Sequence, residues 1–320
     1  MTKMKAALLE AYDQPFRITE LDRPVPAEGE VLVRIAASGV NPLDSKIRSG
    51  KAAHARHPLP AVLGIDVAGT IEQVGPGVTS FHVGEEVYGM TGGVGSVQGS
   101  LAQYAAIDAR LLAPKPSNFS MREAAALPLT FITAWEGLVD RIDLQPGQTL
   151  LVIGSGGVGM NVIQIGVALG ATVYAVDSGT KADTIRSLGA TPIDYQEQAV
   201  EDYVKEHTNG KGFDVVYDTI GGAGLDAAFA AVTRFGHVTS CLGWGAHSLA
   251  PLSFKGASYS GVARHMFLEC SSLVSGGSGK TFSSDLRAFS EAFYITLRRL
   301  KETATALYHC GRSACRSRGW

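Results

Sequence analysis

From about residue 120 to residue 262, the apolar positions alternate between two spacings. Short apolar runs read as strands: LLVIG (150–154), TVYAVD (172–177), PIDY (192–195), FDVVYDTI (213–220) and GHVTSCLG (236–243). Between and before them, apolar residues recur at helical intervals in MREAAALPLTFITAWEGLVD (121–140), MNVIQIGVALG (160–170), KADTIRSLG (181–189), AVEDYVKEHT (199–208) and AGLDAAFAAVT (223–233). Strands alternating with helices of this length predict βαβ units and a parallel sheet. The first 115 residues have another texture, with short β-rich runs broken by Gly and Pro. VLVRIAASGV (31–40), AVLGIDVAGTIEQVG (61–75), GEEVYGM (84–90) and LAQYAAID (101–108) predict a compact β-rich domain.

Composition narrows the class without changing that picture. A chain of 320 residues is comfortable for two domains, and 45% hydrophobic with 18% charged residues is ordinary for a globular enzyme. The net charge of −2 gives no electrostatic reason to expect nucleic acid or an anionic membrane as partner. The opening MTKMKAALLEAYDQPFRIT soon meets Asp13, Pro15 and Arg17, which predicts neither a signal peptide nor a membrane span. All four cysteines (Cys241, Cys270, Cys310 and Cys315) fall in the last third, a pattern that suits a reducing cytoplasm better than a disulfide framework.

The chemistry concentrates at GSGGVG. Gly154, Gly156 and Gly159 make G-x-G-x-x-G, with Gly157 and Val158 between them, directly after one strand and directly before a helix starting near Val158. With 38 glycines in the chain, the spacing alone would be a weak signal; its context strengthens it. The first glycine permits a tight turn, the second lets backbone approach a pyrophosphate, and the third lets helix pack on strand. The helix would point free N–H groups and its positive dipole end at the phosphate. The competing reading is a turn that needs glycine only for packing. Asp177, at the end of the next strand, favours the dinucleotide, since an acid is expected about twenty residues on. Its carboxylate would hydrogen-bond ribose hydroxyls and favour NADH. Ser178 and Lys181 would instead suit the 2′-phosphate of NADPH, so the choice stays open with a lean to NADH.

At this point the chain resembles the medium-chain dehydrogenase/reductase superfamily, in its zinc-independent quinone oxidoreductase branch. The resemblance runs from residue 4 to about 262. It rests on ASGVNPLDSKIRSG (37–50), LGIDVAGTIEQVGPGV (63–78), AALPLTFITAWEGL (125–138), GSGGVG (154–159), SLGATPIDY (187–195) and FDVVYDTIGG (213–222). It implies an α/β protein: a GroES-like β-rich catalytic domain over residues 1–118, then a Rossmann domain with a doubly wound parallel sheet over 119–262. Residues 263–320 form an atypical C-terminal segment.

Zinc-dependent relatives carry a ligand cysteine in the SGV segment and a His–Glu pair in the LG-x-x-x-AG segment, where this chain reads Asn41, Ile65 and Asp66. Their four-cysteine zinc lobe is missing too, and the i, i+3 pair His54 and His57 stands in a Pro-bounded loop without further ligands. A catalytic zinc asks for about three protein ligands, so no metal is expected.

Without one, the feasible reaction is hydride delivery from NADH or NADPH to an activated acceptor, a quinone or an α,β-unsaturated carbonyl. The resemblance places Asn41 at the nicotinamide or the substrate carbonyl as a hydrogen-bond donor; a turn residue before Pro42 is the alternative. Asp44 is read as a cap for the following turn or helix. The resemblance also places Thr130 and Thr133 at the nicotinamide half, Tyr195 beside the adenosine phosphate, and the backbone of Leu242 and Gly243 at the nicotinamide; a core or turn role is the alternative for each. Asp218, Gly221 and Gly222 end a strand at the carboxyl edge, and Cys241 beside them is read as a small buried residue. One departure stands out: the family has a tyrosine just after R-x-G, whereas Arg48, Ser49, Gly50 and Lys51 stand here, which favours an acidic or more polar acceptor.

The last 58 residues carry nine Lys and Arg against four acids, and the family's closing elements are not found there. Ser284 followed by Leu286, Phe289, Phe293, Leu297 and Leu300 predicts one helix, and the unusual ending suggests an altered reading frame. Two other functions stay open: a nucleotide-binding redox sensor or structural protein without turnover, and an enoyl-thioester reductase. The family also implies a homodimer through the Rossmann edge strand.

Overall fold

The computed structural model describes residues 2–55, 57–92 and 94–262. The basic segment, with its expected helix and its suggested frame change, lies outside the described residues. Two compact units divide between Leu129 and Thr130.

In the first unit, β1 (Lys3–Leu9), β2 (Arg17–Asp22) and β3 (Glu30–Ser38) precede the short α1 (Pro42–Arg48). Then follow β4 (Ala61–Val62), β5 (Asp66–Val74), β6 (Glu86–Met90), β7 (Tyr104–Asp108), β8 (Leu112–Pro114) and α2 (Met121–Ala125). The strands β7-β3-β5-β6-β8 form an antiparallel sheet, and β2-β1-β4 a smaller one. Val31, Val33, Val67, Ile71, Val87, Ala105 and Ile107 build the core of the larger sheet. The hairpin β1–β2 went unread in the sequence. Its apolar residues alternate with lysines, and β1 buries Met4, Ala6 and Leu9.

The stretch 121–140, read as one helix, is broken. Ser120 caps α2 through Glu123, and α3 (Pro128–Trp135) restarts at a proline, which lacks an N–H and disfavours helix at the residue before it. A π-helical turn, Glu136–Arg141, follows. There Gly137 lies so close to the Tyr217 ring that a Cβ would overlap it.

The second unit continues with β9 (Thr149–Ile153), α4 (Gly157–Ala168), β10 (Thr172–Asp177), α5 (Ala182–Ser187), β11 (Thr191–Asp194) and α6 (Val200–Thr208). It goes on through β12 (Phe213–Asp218), α7 (Ala223–Ala231), β13 (Val232–Ser240), α8 (Ala250–Lys255) and β14 (Ser258–Gly261). The six strands lie in the order β11-β10-β9-β12-β13-β14, and every pair is parallel. This is the 3-2-1-4-5-6 order of a Rossmann sheet, with its switch point between β9 and β12. Central β9 is almost wholly apolar because helices cover both faces of such a sheet. Among the described residues no helix is long and apolar enough to cross a membrane.

Candidate functional site

The glycine turn leaves the carboxyl end of β9, at the switch point. Gly154 has φ +88°, a left-handed conformation, and its N–H donates to the Val176 carbonyl at 2.9 Å. Thr219, just past β12, donates its hydroxyl to the carbonyls of Ile153 and Gly154 at 2.9 Å each. A Cβ on Gly159 would run into the Gly154 carbonyl oxygen, so the close approach of α4 to the turn requires glycine there. Gly156 differs. It is the N-cap of α4 at φ −75°, and a Cβ on it would meet nothing within 4 Å. Nothing in the fold itself asks for glycine at 156, whereas a phosphate drawn onto the helix N-terminus would occupy that space. The turn therefore fits a dinucleotide. Helix α4 starts at Gly157, one residue before the expected Val158, which is half-buried in the first turn.

Ser155, hidden between the glycines and missed in the sequence, is fully buried and joins the turn to Asp177. Asp177 Oδ2 accepts from the Ser155 N–H at 2.7 Å, its hydroxyl at 2.6 Å, and Lys181 Nζ at 2.9 Å. Oδ1 accepts from the Ser178 N–H at 2.8 Å. Burial would raise this carboxyl, but the Ser155, Lys181 and Ser178 donors outweigh it and hold it at about 2. Asp177 is thus an anion whose main structural task is to hold the glycine turn, and Lys181 is drawn to it rather than to solvent.

The remaining expected cofactor residues have the following partners. Thr130 packs its methyl against Gly157 and accepts from Asn161 Nδ2 at 3.1 Å. Thr133 is buried, and its carbonyl accepts from the Tyr217 hydroxyl at 2.7 Å. Tyr195 lies exposed just beyond β11, its N–H 3.3 Å from the Asp177 carbonyl. Leu242 already donates its N–H to Ser240 Oγ at 3.0 Å, and Gly243 lies against the Tyr259 hydroxyl. Asp218 is completely buried and shapes the edge beside the glycine turn. It accepts from the N–H groups of Ile220 (2.9 Å) and Gly221 (3.1 Å) and from Ser240 Oγ (2.6 Å).

In the first unit, Asn41 is the N-cap of α1, with Pro42 at the first helical position. Asp44 supports that cap by accepting the Asn41 N–H at 2.8 Å. The Asn41 side chain is buried and donates Nδ2–H to Asp66 Oδ2 at 2.9 Å; Asp66 Oδ1 accepts from the Leu129 N–H at 3.0 Å. Burial pushes the Asp66 carboxyl up to about 7 against the pull of these two donors, and the charge of Asp44 adds to the rise. An acid raised in the fold stabilises it fully only below its unfolded value of about 3.9, and that contribution is lost as pH rises through 7. Asp66→Asn is therefore expected to remove a decline in stability on the order of 3–4 kcal/mol between pH 4 and 8. Urea midpoints across that range check this; an unchanged slope in the variant would assign it to another group.

The positions where zinc-dependent relatives bind metal are thus filled by a hydrogen-bonded Asn41–Asp66 pair and by Ile65, a core residue. Among the described residues, no group of three or more His, Cys, Asp or Glu is placed to hold a metal ion.

A parallel 3-2-1-4-5-6 sheet with this turn at its switch point defines a Rossmann dinucleotide-binding unit. Residues 27–117 match the alcohol dehydrogenase GroES-like domain, and residues 157–275 match the family described as zinc-binding dehydrogenase. The second match corrects the expected limit of resemblance, since it runs past Val262. An alcohol dehydrogenase superfamily protein from Novosphingobium aromaticivorans is 55% identical, with TM-score 0.84 over 96% of this chain and 87% of that one. The chain belongs to the alcohol dehydrogenase superfamily.

Two plant relatives are also similar. The 2-methylene-furan-3-one reductase of Solanum lycopersicum is 44% identical over 202 residues, 61% of this chain and 50% of that protein. A chloroplastic NADPH-dependent alkenal/one oxidoreductase of Arabidopsis thaliana is 40% identical over 228 residues, 69% of this chain and 57% of that protein. The chain spans about half the length of these curated relatives.

Proposed function

We propose that this chain is an NAD(P)H-dependent oxidoreductase that reduces α,β-unsaturated carbonyls or quinones without a metal. The observation that carries the reading is the open face of Gly156 in a turn otherwise packed tight. The plant reductases named above support the substrate class. The bound coenzyme would supply a hydride, which adds to the β-carbon of the acceptor. The C=C π electrons then move toward the carbonyl oxygen, and a solvent proton completes the saturated product. Asn41 is the proposed donor to that oxygen, through the amide N–H not turned to Asp66. Gly154, Gly156, Gly157, Val158 and Gly159 would hold the diphosphate.

Between the two coenzymes, the charge balance favours NADH. Asp177 is anionic throughout the neutral range, and Lys181 is already engaged by it instead of standing ready for a phosphate. A 2′-phosphate of about two negative charges would meet that anion. Fluorescence titration is expected to show NADH binding at least about tenfold tighter than NADPH. Asp177→Ser is expected to erase the difference; preference for NADPH in the unaltered protein would overturn it.

The activity itself is tested by following 340-nm absorbance with NADH, 2-cyclohexenone and 1,4-benzoquinone. Oxidation with either acceptor supports the reading, whereas coenzyme binding without oxidation would favour a redox sensor. We further propose a cytoplasmic location and a homodimer, with β14, an edge of the sheet among the described residues, as the candidate surface.

A further inference from the structure

Asp66 is a fully buried carboxylate that takes part in no ion pair among the described residues. Burying such a group without a cation works against folding, so two N–H donors alone are thin compensation. The identity of those donors is informative. One is the side chain of Asn41, 25 residues away at the start of α1; the other is the backbone of Leu129, 63 residues away in the first turn of α3.

An asparagine amide has an oxygen edge and a nitrogen edge of nearly equal shape. In its ionised form, which prevails above about pH 7, the Asp66 carboxylate only accepts, so it holds the nitrogen edge toward itself. A neutral asparagine at position 66 would not. With its oxygen on the Leu129 N–H it would present NH₂ to Asn41, and Asn41 would be satisfied only by turning over to offer its oxygen. The fold would keep its hydrogen bonds, while the direction of the Asn41 donor would reverse.

We propose that Asp66 is a positioning residue for carbonyl reduction, acting through Asn41 by fixing where the amide nitrogen sits, and so where its second N–H points. This rests on the reading of Asn41 as the donor to the substrate oxygen. Losing one preorganised donor lowers turnover on the order of 10²-fold or more. A residue that served only the fold would change stability and leave turnover alone.

The test uses the full chain, NADH and 2-cyclohexenone, with Asn41→Ala, Asp66→Asn and the double variant. Both single variants are expected to lower kcat about 100-fold, with NADH affinity by fluorescence within twofold of wild type. The double variant is expected to lose no more than either single one, because both changes remove the same donor. Asp66→Ala, which removes the acceptor that holds the Asn41 amide nitrogen, gives the same readout if Asp66→Asn does not fold. Full turnover in Asn41→Ala would sink the donor reading, and this inference with it. A slow Asn41→Ala beside an unimpaired Asp66→Asn, or losses that multiply in the double variant, would overturn the positioning role alone.

Discussion

Gly156→Val is expected to fold like the wild type and to lose coenzyme binding. Position 156 has φ −75°, which any L-residue adopts, and no protein atom stands within 4 Å of the place its Cβ would take. The substitution therefore places its Cβ without a clash and without a left-handed φ. The branched side chain would instead stand where the second glycine of the motif lets backbone approach the diphosphate. Displacing that group by an ångström or more costs on the order of 100-fold, so NADH titration should find at least that loss beside an unchanged melting temperature. Retained affinity would show that the open face of this turn serves no phosphate. Gly159 makes the contrast: there a Cβ collides with the Gly154 carbonyl, so loss of binding would not be separable from loss of fold.

The second large effect belongs to Asp218. Its carboxylate gathers the N–H groups of Ile220 and Gly221 and the Ser240 hydroxyl, all at the buried edge beside the glycine turn. Asp218→Ala leaves those donors without an acceptor in a dry environment, at about 1–3 kcal/mol for each one that water cannot reach. A loss of about 3–5 kcal/mol is expected, a fall in melting temperature on the order of 10 °C. Thermal unfolding checks it. A change under 1 kcal/mol would mean that water enters this edge and replaces the carboxylate.

The sequence was most legible where structure is local. The strands of the second unit are compact apolar runs, and the parallel sheet follows from their alternation with helices. The glycine motif was legible because Gly154, Gly156 and Gly159 stand at fixed spacing directly between a strand and a helix. Less was legible at residues 121–140, where helical spacing of apolar side chains runs straight through Pro128 and conceals the break. In the β1–β2 hairpin, only Lys3 and Lys5 mark the exposed face of a seven-residue strand, and the apolar run from Ala6 to Leu9 breaks the alternation. Ser155 is a small polar residue among glycines; only the nearness of Asp177, 22 residues on, reveals it as the group that ties the turn down. Asn41 was singled out by resemblance, yet its partner Asp66 was read only as a replaced metal ligand.

By itself the sequence determined the order of the two architectures, the dinucleotide turn, the family, and the lack of a cysteine or histidine where zinc-dependent relatives bind metal. Tertiary structure alone decided which groups meet: Asp177 with Ser155 and Lys181, and Asp66 with Asn41 and Leu129. The physical reason is range. Backbone preferences and apolar periodicity act over a few residues and are written in neighbouring letters. A buried carboxylate takes whatever donors the packed strands and helices bring to it, from residues as far apart in the chain as Asn41 and Leu129.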